Sequence, residues 1–227
     1  MIDIYIKSNL PVDFPKFQIL GAILENFHEP ASNTFIDEQI NRIYDILTSK
    51  YDTSTLKENP IVQAYRQFYW RYAKVDPTKV RPAGEALMRR LIKRKNLPRI
   101  LPIVDAYNLA SAETAIPMCT YDFSSVMGQL EVRLAKEGEN FLGIGMKAPQ
   151  ILSSEIPVIA DEKGSVSIYP YRDSDRTKVT KTSTKVIITA DGVPGISTDE
   201  LQHALDLALK LIMDYCGGKV VGNVIFK

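Results

Sequence analysis

The chain of 227 residues is poor in the residues that build covalent or metal-held frameworks. It has two cysteines, Cys119 and Cys216, and two histidines, His28 and His203. Two thiols so far apart in the sequence do not make a disulfide framework, and we expect both to be reduced. Neither histidine stands near a cysteine or a carboxylate in a spacing typical of a zinc site or a catalytic triad. We therefore expect no metal and no cofactor.

Long apolar runs are also missing. A membrane-spanning helix needs roughly 18 to 20 apolar residues, and the N-terminus MIDIYIKSNL lacks the basic head and apolar stretch of a signal peptide. A composition that is 45% hydrophobic can nevertheless bury a substantial core in a chain of this length. These features predict a globular, cytoplasmic protein without a membrane partner.

Charge is nearly balanced over the whole chain but unevenly distributed. The formal net charge is +1, yet the segment from Arg66 to Arg99 carries eleven Lys and Arg against Asp76 and Glu85. Such a segment is a solvated helix face in the simpler interpretation. Alternatively it is a surface for a polyanion, because Lys and Arg that contact phosphates release condensed counterions.

Apolar spacing predicts a largely helical N-terminal portion after a first strand in MIDIYIKSN. FQILGAILENFH is ambiguous between strand and helix, and residues 36 to 56 have helical spacing, with Asn33 or Thr34 as the cap. Pro60 opens another helix, whose aromatic stripe indicates core packing rather than base stacking; it comprises Tyr65, Phe68, Tyr69 and Tyr72.

Pro82 suits the first turn of the next helix. In this helix we expect Ala86, Leu87 and Leu91 to face inward, and Arg89 and Arg90 to face solvent. Another short helix is expected in LPRILPIVDAYNLAS, leading to a polar stretch from Tyr107 to Asp122.

The pattern changes to strands after Asp122. LEVRLAKEG, EIPVIADEKG, SVSIYPYR and TKVIITADG are short runs rich in Val and Ile and bounded by turn residues. Ser197 and Glu200 form a capping box for a last helix that Gly217 ends, and KVVGNVIF is a closing strand. We expect an α+β protein, with a largely helical portion at residues 1–80 and an α+β core at 81–227, together one compact unit.

The chemistry-bearing candidates are mostly carboxylates in the strand-rich half. Glu139 and Asp161 lie in or beside turns, and Arg172, Asp173 and Asp175 alternate in YRDSDRT. Such a loop fits either a bound amino acid or a local salt-bridged turn. Cys119 has no neighbouring base or cation in the sequence, so we expect a thiol with a pKa near about 8.5 and a packing role.

Ordered motifs between Arg81 and Ile188 resemble the editing module of the phenylalanyl-tRNA synthetase beta subunit, its third and fourth domains, and more closely the free-standing proteins built around that module. The matching blocks are Tyr107-Asn108, the Pro117 to Asp122 stretch, Lys136-Glu137-Gly138-Glu139, Val158-Ile159-Ala160-Asp161, the turn at Asp173 to Asp175, and Thr182 or Thr184. The family's motif histidine is Cys119 here, its Gly-Gly turn is missing, and its turn glutamate corresponds to Asp175.

The resemblance implies a mostly antiparallel, β-sandwich-like core with packed helices and a pocket for the aminoacyl group on the 3′ end of tRNA. It further implies hydrolysis of the ester, with Asn108 and Asp175 as catalytic residues. Substrate would be held by Ser111, Cys119, Glu139, Asp161, Asp173 and Thr182. The tRNA backbone would meet Arg81, Arg89, Arg90 and Arg172.

These side chains are expected to meet in one hollow. Loss of the motif histidine leaves a second possibility open, namely a non-catalytic module that binds RNA or an amino acid. DNA is not an expected partner.

Overall fold

The computed structural model describes residues 2–227. Its strands are β1 (Ile2–Ser8), β2 (Ile19–Phe27), β3 (Met118–Asp122), β4 (Leu130–Leu134), β5 (Asn140–Phe141), β6 (Gln150–Ile151), β7 (Pro157–Asp161), β8 (Gly164–Ile168), β9 (Arg172–Asp173), β10 (Lys185–Asp191) and β11 (Gly217–Phe226). Its helices are α1 (Thr34–Lys50), α2 (Pro60–Arg71), α3 (Ala83–Arg94), α4 (Pro102–Thr114) and α5 (Thr198–Cys216), with short 3-10 turns at Thr55–Glu58 and Phe123–Ser125.

Nine of the strands form one sheet in the order β3-β10-β2-β11-β1-β4-β7-β8-β9. β1 runs parallel to both of its neighbours, and the other pairs are antiparallel. The edge strand β3 comes back towards the other edge: Tyr121 forms a bridge with Lys178, and its hydroxyl donates to Ser167 Oγ at 3.1 Å. The sheet is therefore nearly closed, and the predicted α+β class with a mostly antiparallel sheet and packed helices is confirmed.

The first two strands lie inside this sheet, because β1 pairs with β11 and β2 with both β10 and β11. The ambiguous segment after Phe17 is thus a strand. The proposed division at residue 80 stays a prediction about the organisation of the chain, and β1 and β2 tie residues before it to strands after it. No helix within residues 2–227 is both long and apolar enough to cross a membrane.

α5 confirms the capping box that the sequence predicted. Ser197 accepts from Glu200 N at 3.2 Å, and the Glu200 carboxylate accepts from Ser197 N at 2.7 Å. The apolar face of α5 is buried throughout, namely Leu201, Ala204, Leu205, Ala208, Leu211 and Ile212. α1 is shorter than predicted and ends at Lys50, because Tyr51 is extended.

The aromatic stripe of α2 is core, as expected. Tyr65, Phe68 and Tyr69 are buried, and both tyrosines donate to backbone carbonyls. Tyr65 Oη lies 2.7 Å from the Asp191 carbonyl oxygen, and Tyr69 Oη lies 3.2 Å from that of Pro170. α2 is thereby fixed against the ends of β10 and β9.

α3 is rotated relative to the prediction. Ala86 is exposed, so its expected inward position is wrong, and the buried residues are Gly84, Glu85, Met88 and Leu91. The cause is a close approach: a Cβ on Gly84 would lie 2.1 Å from the Ala115 carbonyl oxygen. Because only glycine fits there, α3 turns this side towards the end of α4 and carries Glu85 inward with it.

Candidate functional site

The antiparallel pairing of β3 and β10 brings a thiol and a carboxyl group together. Cys119 is paired with Thr189, so the two side chains share one face of the sheet, and Asp191 follows two residues later on the same face. Asp191 is fully buried, and Cys119 Sγ donates to its Oδ2 at 3.1 Å. The sequence thus positions Asp191 by strand register alone.

Asp173 of β9 also contacts the thiol. Its carboxyl group lies against Cys119 and the backbone of Thr120, while the residue as a whole is half-buried. Tyr107 reaches the same place from α4, close enough for the charge of Asp173 to act on its hydroxyl. We call Asp173 and Asp191 the carboxyl pair.

Burial sets the protonation state of this group. Desolvation raises the pKa of Asp173 to about 7, with a further increase from the charge of Asp191 and a partial decrease from the Cys119 thiol. Desolvation likewise raises the pKa of Asp191 to about 6. Burial and the two carboxylates raise the pKa of Cys119 well above its usual value, so the thiol stays protonated and is no nucleophile.

One buried oxygen of each carboxyl group, Asp173 Oδ1 and Asp191 Oδ1, has no hydrogen-bond partner within residues 2–227. An unsatisfied buried polar group costs roughly 1 to 3 kcal/mol, so these two oxygens call for an explanation beyond stability. Carboxyl groups with pKa values near neutrality can donate and accept protons at physiological pH.

Two of the predicted site residues lie elsewhere, in a surface cavity of about 550 Å³ whose lining includes Glu139, Leu142, Ser165, Asp175 and Arg176. Glu139 accepts from Arg133 at 2.7 and 3.0 Å and from Ser165 Oγ at 2.6 Å. Burial acts to raise the pKa of Glu139, but the hydrogen bonds from Arg133 and Ser165 lower it to about 2. This carboxylate is therefore ionised at neutral pH.

The other carboxylates near this cavity are also paired with cations. Asp175 lies 2.6 Å from Lys178 Nζ, and Asp161 lies 2.8 Å from Arg176 Nη2. Asp161 also accepts from the amides of Met127 and Lys163, as the turn interpretation predicts. An incoming ammonium group would have to compete with these cations.

The remaining polar candidates are dispersed. Asn108 is half-buried on α4, and its side chain makes no hydrogen bond within the described part of the chain. Ser111, one turn later, is buried with its hydroxyl unpartnered. Thr182 is exposed, and its hydroxyl lies 2.9 Å from that of Thr180. The predicted residues are therefore divided between places rather than gathered in one hollow.

The predicted RNA-binding arginines also differ in their surroundings. Arg81 and Arg89 both approach the buried Glu85, whereas Arg90 is exposed on another side of α3. Arg172 donates from Nη1 to the Ile144 carbonyl at 3.1 Å and lies over the ring of Tyr171. Arg172 is therefore held beside Asp173 of the carboxyl pair.

Sequence reasoning missed Asp191 and gave Tyr107 no role in the site. A signal for Asp191 was present, because β7 and β10 both end in Ala-Asp, at Ala160-Asp161 and Ala190-Asp191. Only the pairing of β3 with β10 distinguishes the two aspartates, since it places one beside Cys119 and the other beside Arg176. Residues 2–227 contain no cluster of three or more His, Cys, Asp or Glu side chains placed to hold a metal ion.

Comparison with known families identifies the class to which this fold belongs. The model of the B3/4 domain matches residues 64–217, which is more than half of the chain, and the chain belongs to this family.

Particular relatives are phenylalanine–tRNA ligase beta subunits, which confirms the predicted resemblance. That of Rhodopseudomonas palustris is 29% identical over 170 residues, covering 63% of this chain and 21% of the relative. That of Idiomarina loihiensis is 25% identical over 207 residues, covering 81% of this chain and 26% of the relative. The chain thus spans only about a fifth to a quarter of the length of these relatives.

A solved structure has the same fold. An N-terminal fragment of the phenylalanyl-tRNA synthetase beta subunit from Pyrococcus horikoshii aligns with a TM-score of 0.51 at 14% identity. The alignment covers 99% of this chain and 52% of that one, so the likeness extends to β1, β2 and β11 as well as the matched domain.

Proposed function

We propose that this protein binds the aminoacylated 3′ end of tRNA and hydrolyses the ester bond when the attached amino acid is wrong. The observation that carries the proposal is the carboxyl pair, buried beside Cys119 with pKa values of about 7 and about 6, in a chain of the B3/4 domain family. Buried carboxyl groups with separated, raised pKa values are typical of acid–base sites.

Proton transfer divides naturally between the two carboxyl groups. Near neutral pH, Asp191 is mostly ionised and takes a proton from the attacking water, whose oxygen bonds to the ester carbonyl carbon. Asp173, half protonated, gives its proton to the ribose oxygen as the carbon–oxygen bond breaks. Cys119 keeps its proton and separates the two groups.

The other predicted residues take supporting roles in this proposal. In this proposal Arg172, which is next to Asp173 and partly exposed, binds the terminal phosphate. Asn108 and Ser111 orient the acyl group or the ribose. Asp175 keeps the catalytic role assigned from the resemblance only as a competing hypothesis, because it is bound to Lys178.

The test is deacylation of a panel of tRNAs, each charged with one labelled amino acid, at low salt and with protein in excess. We expect release from at least one mischarged tRNA, with kcat reduced about 100-fold or more in Asp173→Asn and Asp191→Asn. Asp175→Asn is the matched comparison, and its expected kcat is within a few-fold of wild type because its carboxylate is already neutralised by Lys178. The pH dependence of kcat should have limbs near the two pKa values.

Binding without hydrolysis is the second candidate, and the complete burial of Asp191 favours it. If wild-type protein binds the acylated tRNAs but deacylates none of them, this result supports binding without hydrolysis and overturns the proposed hydrolase activity.

A further inference from the structure

A buried carboxylate organises part of the basic segment. Glu85 is fully buried on α3, and three arginines converge on it. Arg66 approaches at 2.9 Å, Arg89 at 3.3 Å and Arg81 at 3.8 Å. One carboxylate cannot neutralise three guanidinium groups, so two positive charges remain at this place. We call these three residues the arginine cluster.

The geometry of the arginine cluster leaves donors for another acceptor. Arg66 donates to Glu85 from Nη1 alone, at 3.1 and 2.9 Å. The Nε and Nη2 groups of Arg66 do not donate to Glu85. Arg89 donates from Nη1 to the Thr53 carbonyl at 2.6 Å and from Nη2 to Glu85 at 3.3 Å, so it is held in place at this position. Arg81 is 43% exposed. Guanidinium groups fixed in this way lose little freedom on binding phosphate, which they recognise through paired donors.

An aromatic surface lies next to the arginine cluster. Trp70 is the single tryptophan of the chain, and it is 65% exposed on α2. It stands four residues after Arg66, so the two side chains share one helix face, with Cβ atoms roughly 5 to 6 Å apart. Exposed aromatic rings beside cations are the surfaces on which unpaired bases stack, since every base has a π-face.

α2 connects this surface to the carboxyl pair. Tyr65 and Tyr69 face inward to the ends of β10 and β9, whereas Trp70, which directly follows Tyr69, is exposed and Arg66 is partly exposed. α2 therefore lies between this surface and the strands that carry the carboxyl pair.

We infer that Trp70 and the arginine cluster of Arg66, Arg81 and Arg89 form a docking surface for single-stranded RNA, with a base stacked on Trp70 and an adjacent phosphate on the arginines. The inference rests on the proposed function only in taking RNA as the partner, and it identifies the contact surface of that partner. Charge complementarity selects this occupant, because unneutralised arginines next to an exposed ring fit a phosphate and a base of one strand.

Single-stranded RNA of roughly eight nucleotides and uncharged tRNA are the probes. We expect quenching of Trp70 emission on titration of wild type with either RNA. Fluorescence anisotropy of labelled RNA then measures the variants: Trp70→Ala weakens binding about 10-fold and Trp70→Phe restores most of it. Arg81→Gln weakens binding several-fold and lowers the slope of log affinity against log salt by about one.

Arg94→Gln is the matched control, since it removes the same charge from an exposed position at the last residue of α3, whereas Arg81 precedes the first residue of that helix. Arg81 and Trp70 are 43% and 65% exposed, so both variants are expected to fold, and thermal melts check this. Equal weakening by Arg94→Gln and Arg81→Gln, unchanged binding by Trp70→Ala, or tighter binding of polyglutamate than of RNA would each overturn the inference.

Failure of this inference is distinguishable from failure of the proposed function. If wild type and Trp70→Ala deacylate tRNA with the same KM, the docking surface is overturned and the proposed hydrolase activity is supported. Weakened RNA binding by Trp70→Ala, together with no deacylation by wild type, supports the docking surface and rejects the hydrolase.

Discussion

Buried carboxyl groups are handled in two opposite ways in this molecule. Glu139 is hydrogen-bonded to Arg133 and Ser165, and its pKa falls to about 2 despite burial. Asp173 and Asp191 have a thiol between them and no cation paired with either within residues 2–227, and their pKa values rise to about 7 and about 6. Burial alone therefore does not decide the charge of a carboxyl group, because the side chain that faces it does.

The comparison separates structural from chemical roles. A carboxylate that is ionised at neutral pH and paired with arginine orders the turn after β4 and the start of β8, as Glu139 does through Lys136 N and Ser165 N. A carboxyl group that changes charge near neutral pH contributes less to ordering and more to proton transfer. On this basis the carboxyl pair, and not Glu139, is the centre of the proposed chemistry.

The largest expected effect on stability comes from removing Arg133, the cation that is paired with Glu139. In Arg133→Met, Glu139 loses its partner while both side chains are about 10% exposed, so the free energy of unfolding should fall by about 3 kcal/mol. Adding Glu139→Gln to this variant removes the unpaired charge and should recover part of the loss. Denaturant unfolding at neutral pH measures both, and a loss below about 0.5 kcal/mol for Arg133→Met would show that the pair is not buried in solution.

A smaller effect on stability, which depends on pH, is expected at the carboxyl pair. Because its pKa is raised on folding, Asp191 binds its proton more tightly in the folded state than in the unfolded one. The stability that this proton contributes is fully present below the unfolded pKa, near 4, and is lost as pH rises through about 6.

In Asp191→Asn the side chain at this position does not titrate, so the variant does not lose this stability as pH rises. Its stability relative to wild type should therefore increase by about 2 kcal/mol between pH 4 and pH 7, since each pKa unit corresponds to roughly 1.4 kcal/mol. Denaturant unfolding across this pH range measures it, and Asp13→Asn, in an exposed loop, reports the effect of removing one charge from the surface. A difference between Asp191→Asn and wild type that does not vary with pH contradicts the raised pKa.

Much of the fold follows from local patterns in the sequence. The capping box at Ser197, the apolar face of α5 and the Val- and Ile-rich strands are specified by neighbours within a few residues, so they could be predicted. α3 could not be placed correctly, because its rotation depends on Gly84 meeting the carbonyl of Ala115, which is distant in the sequence.

The site was predictable only in part for the same reason. Cys119 and Asp173 were candidates from their motif positions, but strand pairing alone brings Asp191 to the thiol. The sequence also does not reveal which carboxylates are paired with cations. The pairs of Arg133 with Glu139, Arg176 with Asp161 and Lys178 with Asp175 form only when the strands and their connecting turns are folded together. The division of the candidates into charged and protonatable groups is therefore a property of the tertiary structure.

The most direct test of that division is an NMR titration of side-chain carboxyl carbons in protein labelled at aspartate, with Asp173→Asn and Asp191→Asn used for assignment. We predict two coupled titrations with midpoints at about 7 and about 6, and we expect them to disappear or shift in these variants. Titration of both carboxyl groups at or below about 4.5, near the ordinary aspartate value, would contradict it.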